Sequence, residues 1–261
     1  MKKMECKNSK YRIFFIVIIL TIVLSAACAG KRDALKPAGT EGDELFRTGN
    51  EYYELGKWSK AIKILNEFTL SYPYHANVAE GTYILAESYF NKEDYELAIV
   101  EYRRIIRRFS ESEFAEKAEL MLAESFLESA PNIALEQDVV ERALGLYRDF
   151  ITYRPKSEFI GEAREGVERC RDRLAHKEYY VINLYYKLHK ADAAVLYADL
   201  LVEEYNGTTW VPKAMLIKGK ALYEQLDQSA SAKKIFAKII EDYPDSEEAD
   251  EAEEYLLKIE G

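Results

Sequence analysis

Apolar residues follow a helical period along most of the chain, and the segments that carry this period come in pairs. The pattern begins near Asp43 and continues to the C-terminus, with apolar positions three or four residues apart and polar positions between them. Most of the six prolines stand at the ends of these segments, where proline stops a helix. The pattern predicts an all-α protein built of long helices joined by short turns.

The clearest pair of segments starts at Glu44 and reads ELFRTGNEYYELGKWSKAIKILNEFTLSYP. It resembles the tetratricopeptide repeat, which has small, aromatic, turn, small, bulky, apolar and helix-ending residues at the positions held here by Gly49, Tyr52, Gly56, Ala61, Leu65, Phe68 and Pro73. Small residues let two helices approach closely, and bulky residues fill the gap between them. The segment therefore predicts a helical hairpin that buries its remaining face on the next hairpin.

The small residue of the second helix recurs five times along the chain. It is followed four residues later by a bulky residue, except in the fourth copy, where an alanine stands: the pairs are Ala61 and Leu65, Ala98 and Tyr102, Ala143 and Tyr147, Ala194 and Ala198, Ala232 and Phe236. The intervals of 37, 45, 51 and 38 residues exceed the usual length of about 34. We therefore predict an irregular α-solenoid of about five repeats, with an insertion at Ser129–Val139 in the third repeat. That insertion is either a contact site or a tolerated surface loop.

Two features divide and close the predicted solenoid. A helical pattern runs unbroken from about Ser157 to Leu188, longer than one repeat helix needs, and we expect it to join residues 43–156, with repeats 1–3, rigidly to residues 157–261, with repeats 4 and 5. A final helix over Ser246–Glu260 opens with acidic residues, which suit a helix N-terminus. It is expected to cap the solenoid, because an end repeat has no neighbour to cover its apolar face.

The N-terminal segment has the pattern of a secretory signal. Five basic residues and one acidic residue precede the apolar run Ile13–Leu24. A membrane-spanning anchor is the alternative, but a run of twelve residues makes a helix of only about 18 Å against roughly 30 Å of hydrocarbon. Cys28 follows two alanines and resembles the acylated cysteine of bacterial lipoproteins, although Leu24 stands one place further from it than is usual. We predict a signal over residues 1–27, lipidation at Cys28, and a flexible tether over residues 28–42.

Charge limits the possible partners. The formal net charge is −10, and removal of the predicted signal makes it −14. Because nucleic-acid binding depends mainly on basic residues that displace counterions from phosphates, we predict protein partners and no nucleic acid. Arg103, Arg104, Arg107 and Arg108 form a basic cluster that is either solvated and paired or a site for a lipid headgroup or an acidic partner.

Catalytic and cofactor motifs are not found in the sequence. It has no phosphate-binding glycine loop, no nucleophile elbow, and no cysteine or histidine pair at metal-ligand spacing. His75, His176 and His189 are far apart and are expected to be surface or packing residues. Cys170 is left alone after export and lipidation, and is expected to be packed rather than bridged to another chain. We predict no enzyme, no cofactor and no metal.

A candidate binding groove comes from the first helix of each of the first three hairpins. In tetratricopeptide repeats, positions 5, 9 and 12 of this helix face the hollow of the solenoid, and this spacing gives one helix face. Here these positions hold Phe46, Asn50 and Tyr53, then Tyr83, Glu87 and Phe90, then Leu120, Glu124 and Leu127. Such a surface suits an extended peptide whose backbone amides bond to the polar middle row. The alternative, packing against the next repeat, is equally open.

The segment Cys170–Tyr205, CRDRLAHKEYYVINLYYKLHKADAAVLYADLLVEEY, together with the lipoprotein signal and the five irregular repeats, resembles the BamD family. The segment Tyr72–Ile99 also matches that family. Departures include Ile182 in place of a common glycine and Ala198 in place of a residue that is often basic. The resemblance covers roughly Leu45 to the C-terminus.

This resemblance implies a scaffold of the β-barrel assembly machinery on the periplasmic face of the outer membrane, held there by its lipid anchor. It implies that the N-terminal half receives unfolded outer-membrane proteins and that the C-terminal half binds the POTRA domains of the barrel-forming subunit. Because Ala198 replaces a basic residue, we expect this second interface to use Tyr197, Trp210 and Tyr223, unless these only pack in the core. Another tetratricopeptide-repeat envelope lipoprotein, such as a Tol-Pal type coordinator, is the alternative.

Overall fold

Eleven α-helices follow one another in the computed structural model, which describes residues 38–261. No strand occurs within that range. The helices are α1 Ala38–Glu54, α2 Trp58–Ser71, α3 Val78–Asn91, α4 Tyr95–Arg108, α5 Phe114–Glu128, α6 Asp138–Tyr153, α7 Ile160–Lys187, α8 Ala191–Glu204, α9 Trp210–Lys220, α10 Ser229–Asp242 and α11 Glu247–Glu260.

The helices pair into five antiparallel hairpins, from α1 with α2 to α9 with α10. Each helix packs on the one that follows it, and the first helix of each hairpin also contacts the first helix of the next. This arrangement is an α-solenoid, so the predicted all-α fold of about five tetratricopeptide-type hairpins is confirmed.

Small and bulky residues pack between the helices as the repeat pattern predicts. All five repeat alanines are fully buried, and the bulky residues Leu65, Tyr102, Tyr147 and Phe236 are buried beside them. Glycines allow the close approach, since a Cβ built on Gly81 of α3 would lie 2.6 Å from Cε1 of Phe68 on α2. Contacts of this kind fix the distance between neighbouring hairpins.

A left-handed residue turns the chain between the helices in four of the five hairpins. It always stands five residues before the repeat alanine, and its φ is +66° at Gly56, +65° at Glu93, +57° at His189 and +53° at Asp227. Only the first of these turns has glycine, the residue that adopts this conformation without strain.

The insertion in the third repeat is held by the next repeat. Arg173 of α7 donates from Nε to the side-chain oxygen of Gln137 at 3.0 Å and from its guanidinium to the carbonyl of Ala130 at 3.3 Å. Lys177, one turn further along α7, donates to the carbonyl of Ala134 at 3.0 Å. The insertion therefore braces repeat 3 against repeat 4.

The helix predicted to join the two halves is present as α7, with 28 residues. It is about 42 Å long at 1.5 Å per residue. Its N-terminal part contributes Ala163, Cys170 and Leu174 to the core of repeats 2–4, and its C-terminal part contributes Ile182 to the core of repeats 4 and 5. One rigid element thus belongs to both halves.

The C-terminal helix covers the last hairpin as predicted. The Ser246 hydroxyl accepts a hydrogen bond from the Ala249 backbone N–H at 3.1 Å, which caps α11. Tyr255 stacks on Phe236 at 5.1 Å between ring centroids. A single π-helical turn, Ala221–Gln225, follows α9, and its Glu224 accepts a hydrogen bond from Tyr255 of α11.

The first helix begins earlier than the sequence indicated. We expected a tether up to residue 42, but α1 starts at Ala38, so residues 38–42 are helical. Gly42 is buried against the rings of Tyr72 and His75, and His75 is 3.0 Å from the Asp43 carboxylate. The loop after α2 thus supports the first turns of α1. The predicted signal, Cys28 and the rest of the tether lie outside the described residues.

Candidate peptide-binding groove

The aromatic residues expected to face the hollow are partly exposed on the first helices of repeats 1 and 2. Phe46 packs on Phe68 with 5.5 Å between centroids, and Tyr53 lies 5.4 Å from Trp58. Tyr83 stacks on Phe114 at 5.3 Å, and Phe90 meets Tyr95 edge-on at 5.4 Å. Each ring packs on at least one neighbouring ring and keeps part of its surface open. Asn50 lies among them, half-buried on α1.

Glu87 is surrounded by tyrosine hydroxyls. Tyr102 of α4 donates a hydrogen bond to its carboxylate, and the hydroxyls of Tyr53 and Tyr83 lie near the same group. Burial first, and then the charge of Glu87, raises the pKa of Tyr83 and of Tyr102, so these hydroxyls stay protonated donors. The hydrogen bond between Glu87 and Tyr102 therefore links α3 to α4.

Glu124 has the same role one repeat further on. The Tyr147 hydroxyl of α6 donates to one carboxylate oxygen, and the Arg169 guanidinium of α7 donates to the other at 2.7 Å. Arg169 also pairs with Glu128. Because its two oxygens have partners within the protein, Glu124 is mainly a link between repeats 3 and 4.

A concave cavity of about 260 Å³ lies beside this link. Phe90, Leu120 and Glu124, all predicted site residues, line it together with Met121, Tyr147 and Arg169. The packing alternative holds for the third-repeat leucines, since Leu120 is 3% exposed and Leu127 is 6% exposed. The open part of the groove is therefore its aromatic side, from Tyr53 to Phe90.

Arg169 is the main residue that the sequence analysis missed. It stands 45 residues from Glu124, and nothing in its local sequence distinguishes it from other arginines of α7. It also borders a second, more polar cleft of about 540 Å³ that includes Glu128, Asp172 and His176. The concave surface thus continues from the aromatic groove along α7 toward the C-terminal half.

The three C-terminal candidates lie in different surroundings. Trp210 stacks on His176 at 3.9 Å and donates from Nε1 to Asp172 at 3.2 Å, so one face and the N–H of its ring already have partners within the protein. Tyr223 meets the Tyr255 ring edge-on at 6.1 Å next to the cap. Tyr197 stacks on Tyr185 at 5.2 Å near the α7–α8 turn. The three rings thus have different neighbours, although all three pack against the core of repeats 4 and 5.

Within residues 38–261, no three histidine, cysteine, aspartate or glutamate side chains are placed to hold a metal ion. Cys170 is fully buried, and burial raises the pKa of its thiol to about 12. None of the described helices is both long and apolar enough to cross a membrane.

The fold defines a class of protein, a helical-repeat protein with a concave surface lined by the first helices of its hairpins. A family model described as outer membrane lipoprotein, the YfiO family, matches residues 39–235, and the chain belongs to this family. The chain is 25% identical over 204 residues to a protein of Caulobacter vibrioides named outer membrane protein assembly factor BamD. That alignment spans 77% of this chain and 66% of the relative, just under two thirds of its length. The resemblance to the BamD family is confirmed.

Solved helical-repeat structures also align with the chain. The TPR2AB domain of yeast Sti1 in complex with an Hsp90 peptide has a TM-score of 0.45 at 15% identity, over 81% of each chain. The protein TTC0263 of Thermus thermophilus has a TM-score of 0.36 at 15% identity, over 83% of this chain and 99% of its own.

Proposed function

We propose that this protein is a non-enzymatic scaffold of β-barrel assembly, anchored by lipid to the periplasmic face of the outer membrane. In this role its concave N-terminal groove receives unfolded outer-membrane proteins, and its C-terminal half docks the POTRA domains of the barrel-forming subunit. Membership of the outer membrane lipoprotein family and the similarity to a BamD protein support the proposal.

The observation that carries the groove is the row of partly exposed rings from Tyr53 through Tyr83 to Phe90. Each ring is held in advance against a neighbouring aromatic ring, so little side-chain freedom is lost when a peptide binds. Apolar side chains of an extended segment would contact the rings. Asn50, on the same surface, offers a donor and an acceptor to its backbone.

The groove is tested by replacing Tyr53, Tyr83 and Phe90 together with alanine in the full chain. Burial of one aromatic ring contributes about 1.5 to 3 kcal/mol, so loss of the three is expected to weaken binding of a C-terminal barrel peptide tenfold or more. A matched control replaces the exposed rings of Tyr74 and Tyr180, which are not among the groove residues. Circular dichroism checks that both variants stay helical. If the two variants bound the peptide with equal affinity, the binding site would lie outside these three residues.

Docking of the barrel-forming subunit is tested separately with Tyr197→Ala. Tyr197 is chosen because the Trp210 ring also donates a hydrogen bond to Asp172, and Tyr223 contacts Tyr255 of the C-terminal cap. We expect this variant to bind a purified POTRA fragment more weakly while its affinity for the barrel peptide stays unchanged. The groove variant should show the reverse. If one variant impaired both activities in a folded protein, the proposed division between the two halves would be wrong.

A further inference from the structure

An apolar groove opens on the convex side of the solenoid, between the second helices of repeats 2 and 3. Its volume is about 440 Å³. Leu122 and Phe150, both buried, and the partly buried Ile106 and Leu146 line it, and Tyr153, which is 77% exposed, stands at its rim. We call it the convex groove. It lies on the opposite side of α4 and α6 from the aromatic groove.

Two arginines mark one end of the convex groove. The guanidinium carbons of Arg103 on α4 and Arg142 on α6 lie 5.2 Å and 5.3 Å from the centroid of the same ring, that of Phe126 on α5. Phe126 stands one helical turn beyond Leu122, so the ring continues the floor of the groove. Both arginines are exposed, and neither forms an ion pair with any residue of 38–261. Two positive charges are thus held side by side without a counter-charge.

The other end of the convex groove is neutralised. Arg154 donates to both oxygens of Glu119, at 3.1 Å and 2.8 Å, and this bidentate pair raises the pKa of Arg154. The groove is therefore asymmetric, with a basic end, an apolar middle and a polar end at the Arg154–Glu119 pair, and the exposed Asp149 also lines it. The corresponding space between repeats 1 and 2 is spanned instead by Arg104, which pairs with Glu101 and donates to the carbonyl of Thr69 at 3.3 Å.

We propose that the convex groove docks an amphipathic segment of a second protein partner, with its apolar side chains on Leu146 and Tyr153 and a carboxylate at Arg103 and Arg142. Guanidinium groups bind carboxylates through paired, charge-assisted hydrogen bonds, and their stacking on Phe126 already limits their freedom. The open shape suits a helix laid in a groove. The acidic remainder of the chain repels such a segment elsewhere, so the arginine pair fixes its position and direction. This site is separate from both surfaces of the proposed function.

The test uses the purified full chain and two fluorescent helical peptides of roughly four turns. Both carry leucines at one helix face; one has a glutamate pair at its N-terminal end, and the other has lysines there. We expect the acidic peptide to bind and the basic peptide not to bind. The variant R103E/R142E should lose affinity for the acidic peptide about tenfold or more. R148E/R164E makes the same change of net charge at two exposed arginines outside the groove and should bind as the wild type does.

A second variant, Leu146→Asp, tests the apolar part, with Leu70→Asp as its control at an exposed leucine of α2. Leu146→Asp should weaken binding of the acidic peptide, while Leu70→Asp should leave that binding unchanged. Absence of binding up to about 100 μM, or equal binding by R103E/R142E and R148E/R164E, overturns the proposal. Arginine-dependent flotation with phosphatidylglycerol vesicles but no peptide binding would also overturn it, because the groove would then contact membrane lipid.

Discussion

Gly166 of α7 lies directly against the ring of Tyr147 on α6, at a distance that leaves no room for a side chain. A Cβ built on the glycine would overlap the ring. The Tyr147 hydroxyl in turn bonds to Glu124, so this contact sets both the distance between repeats 3 and 4 and the wall of the concave cavity.

Gly166→Ala is therefore expected to destabilise the protein. Overpacking of a filled core costs about 1 to 3 kcal/mol, which lowers the melting temperature of a chain of this size by several degrees. Gly145→Ala is the matched control, since Gly145 lies in α6 with nothing within 4 Å, and its replacement should stabilise the helix by up to about 1 kcal/mol. Thermal unfolding followed by circular dichroism compares the two. Equal melting temperatures would show that α6 and α7 adjust without cost.

Glu224 is expected to make the C-terminal cap sensitive to acid. Burial alone would raise its pKa, but hydrogen bonds from Tyr186 and Tyr255 and the charges of Lys220 and Lys258 lower the pKa overall. A carboxylate with a depressed pKa stabilises the fold above its unfolded pKa of about 4.3, and this stabilisation is lost as the pH falls through the folded value.

Glu224→Gln should therefore destabilise the protein at pH 7 and flatten the loss of stability between about pH 5 and pH 3. Melting temperatures measured across that range give the comparison. Glu253→Gln, an exposed change on α11, should keep the wild-type profile. A wild-type profile for Glu224→Gln as well would mean that the tyrosine contacts do not stabilise the cap.

Cys170 should be unreactive in the native protein. Because burial raises the pKa of its thiol to about 12, the thiolate that reacts with alkylating agents is almost absent at pH 8. Iodoacetamide treatment followed by mass spectrometry of the Cys170 peptide should show little labelling before denaturation and full labelling after it. Fast labelling of Cys170 in the native protein would show that this part of α7 opens to solvent.

Acylation of Cys28 remains a prediction from sequence. Cys28→Ala should leave an uncleaved precursor without incorporated palmitate label, because acylation precedes cleavage in the lipoprotein pathway that the signal resembles. Soluble protein of mature size would instead indicate cleavage by an ordinary signal peptidase.

The helices were predictable because each is defined by its own apolar period and by the small residue that recurs on it. The start of α1 was not, since Gly39 and Gly42 lower the helical tendency locally and the helix is supported by Tyr72 and His75, some 30 residues away. The same limit applies to the turns. Glu93, His189 and Asp227 adopt the conformation of Gly56, but only the glycine signals it in the sequence.

The candidate groove was predictable in position and only partly in chemistry. Helical spacing places Glu87 and Glu124 on the concave side, but it does not show that Tyr102 and Tyr147, assigned to the core, direct their hydroxyls to these carboxylates. Arg103 and Arg142 illustrate the same difficulty. They are 39 residues apart, and only the fold brings both to the ring of Phe126.

The packing of each hairpin mainly on its sequence neighbours has a consequence for how fast the molecule forms. Among the described helices, each packs on helices that are close to it in sequence. The loops that must close during folding are therefore short, and the entropic cost of closing them is small. Proteins with such local contacts fold faster than proteins of similar stability that depend on pairing between distant strands. A chain that reaches its compartment unfolded can therefore assemble hairpin by hairpin from its N-terminus, and its apolar faces are exposed to proteases and to aggregation only briefly.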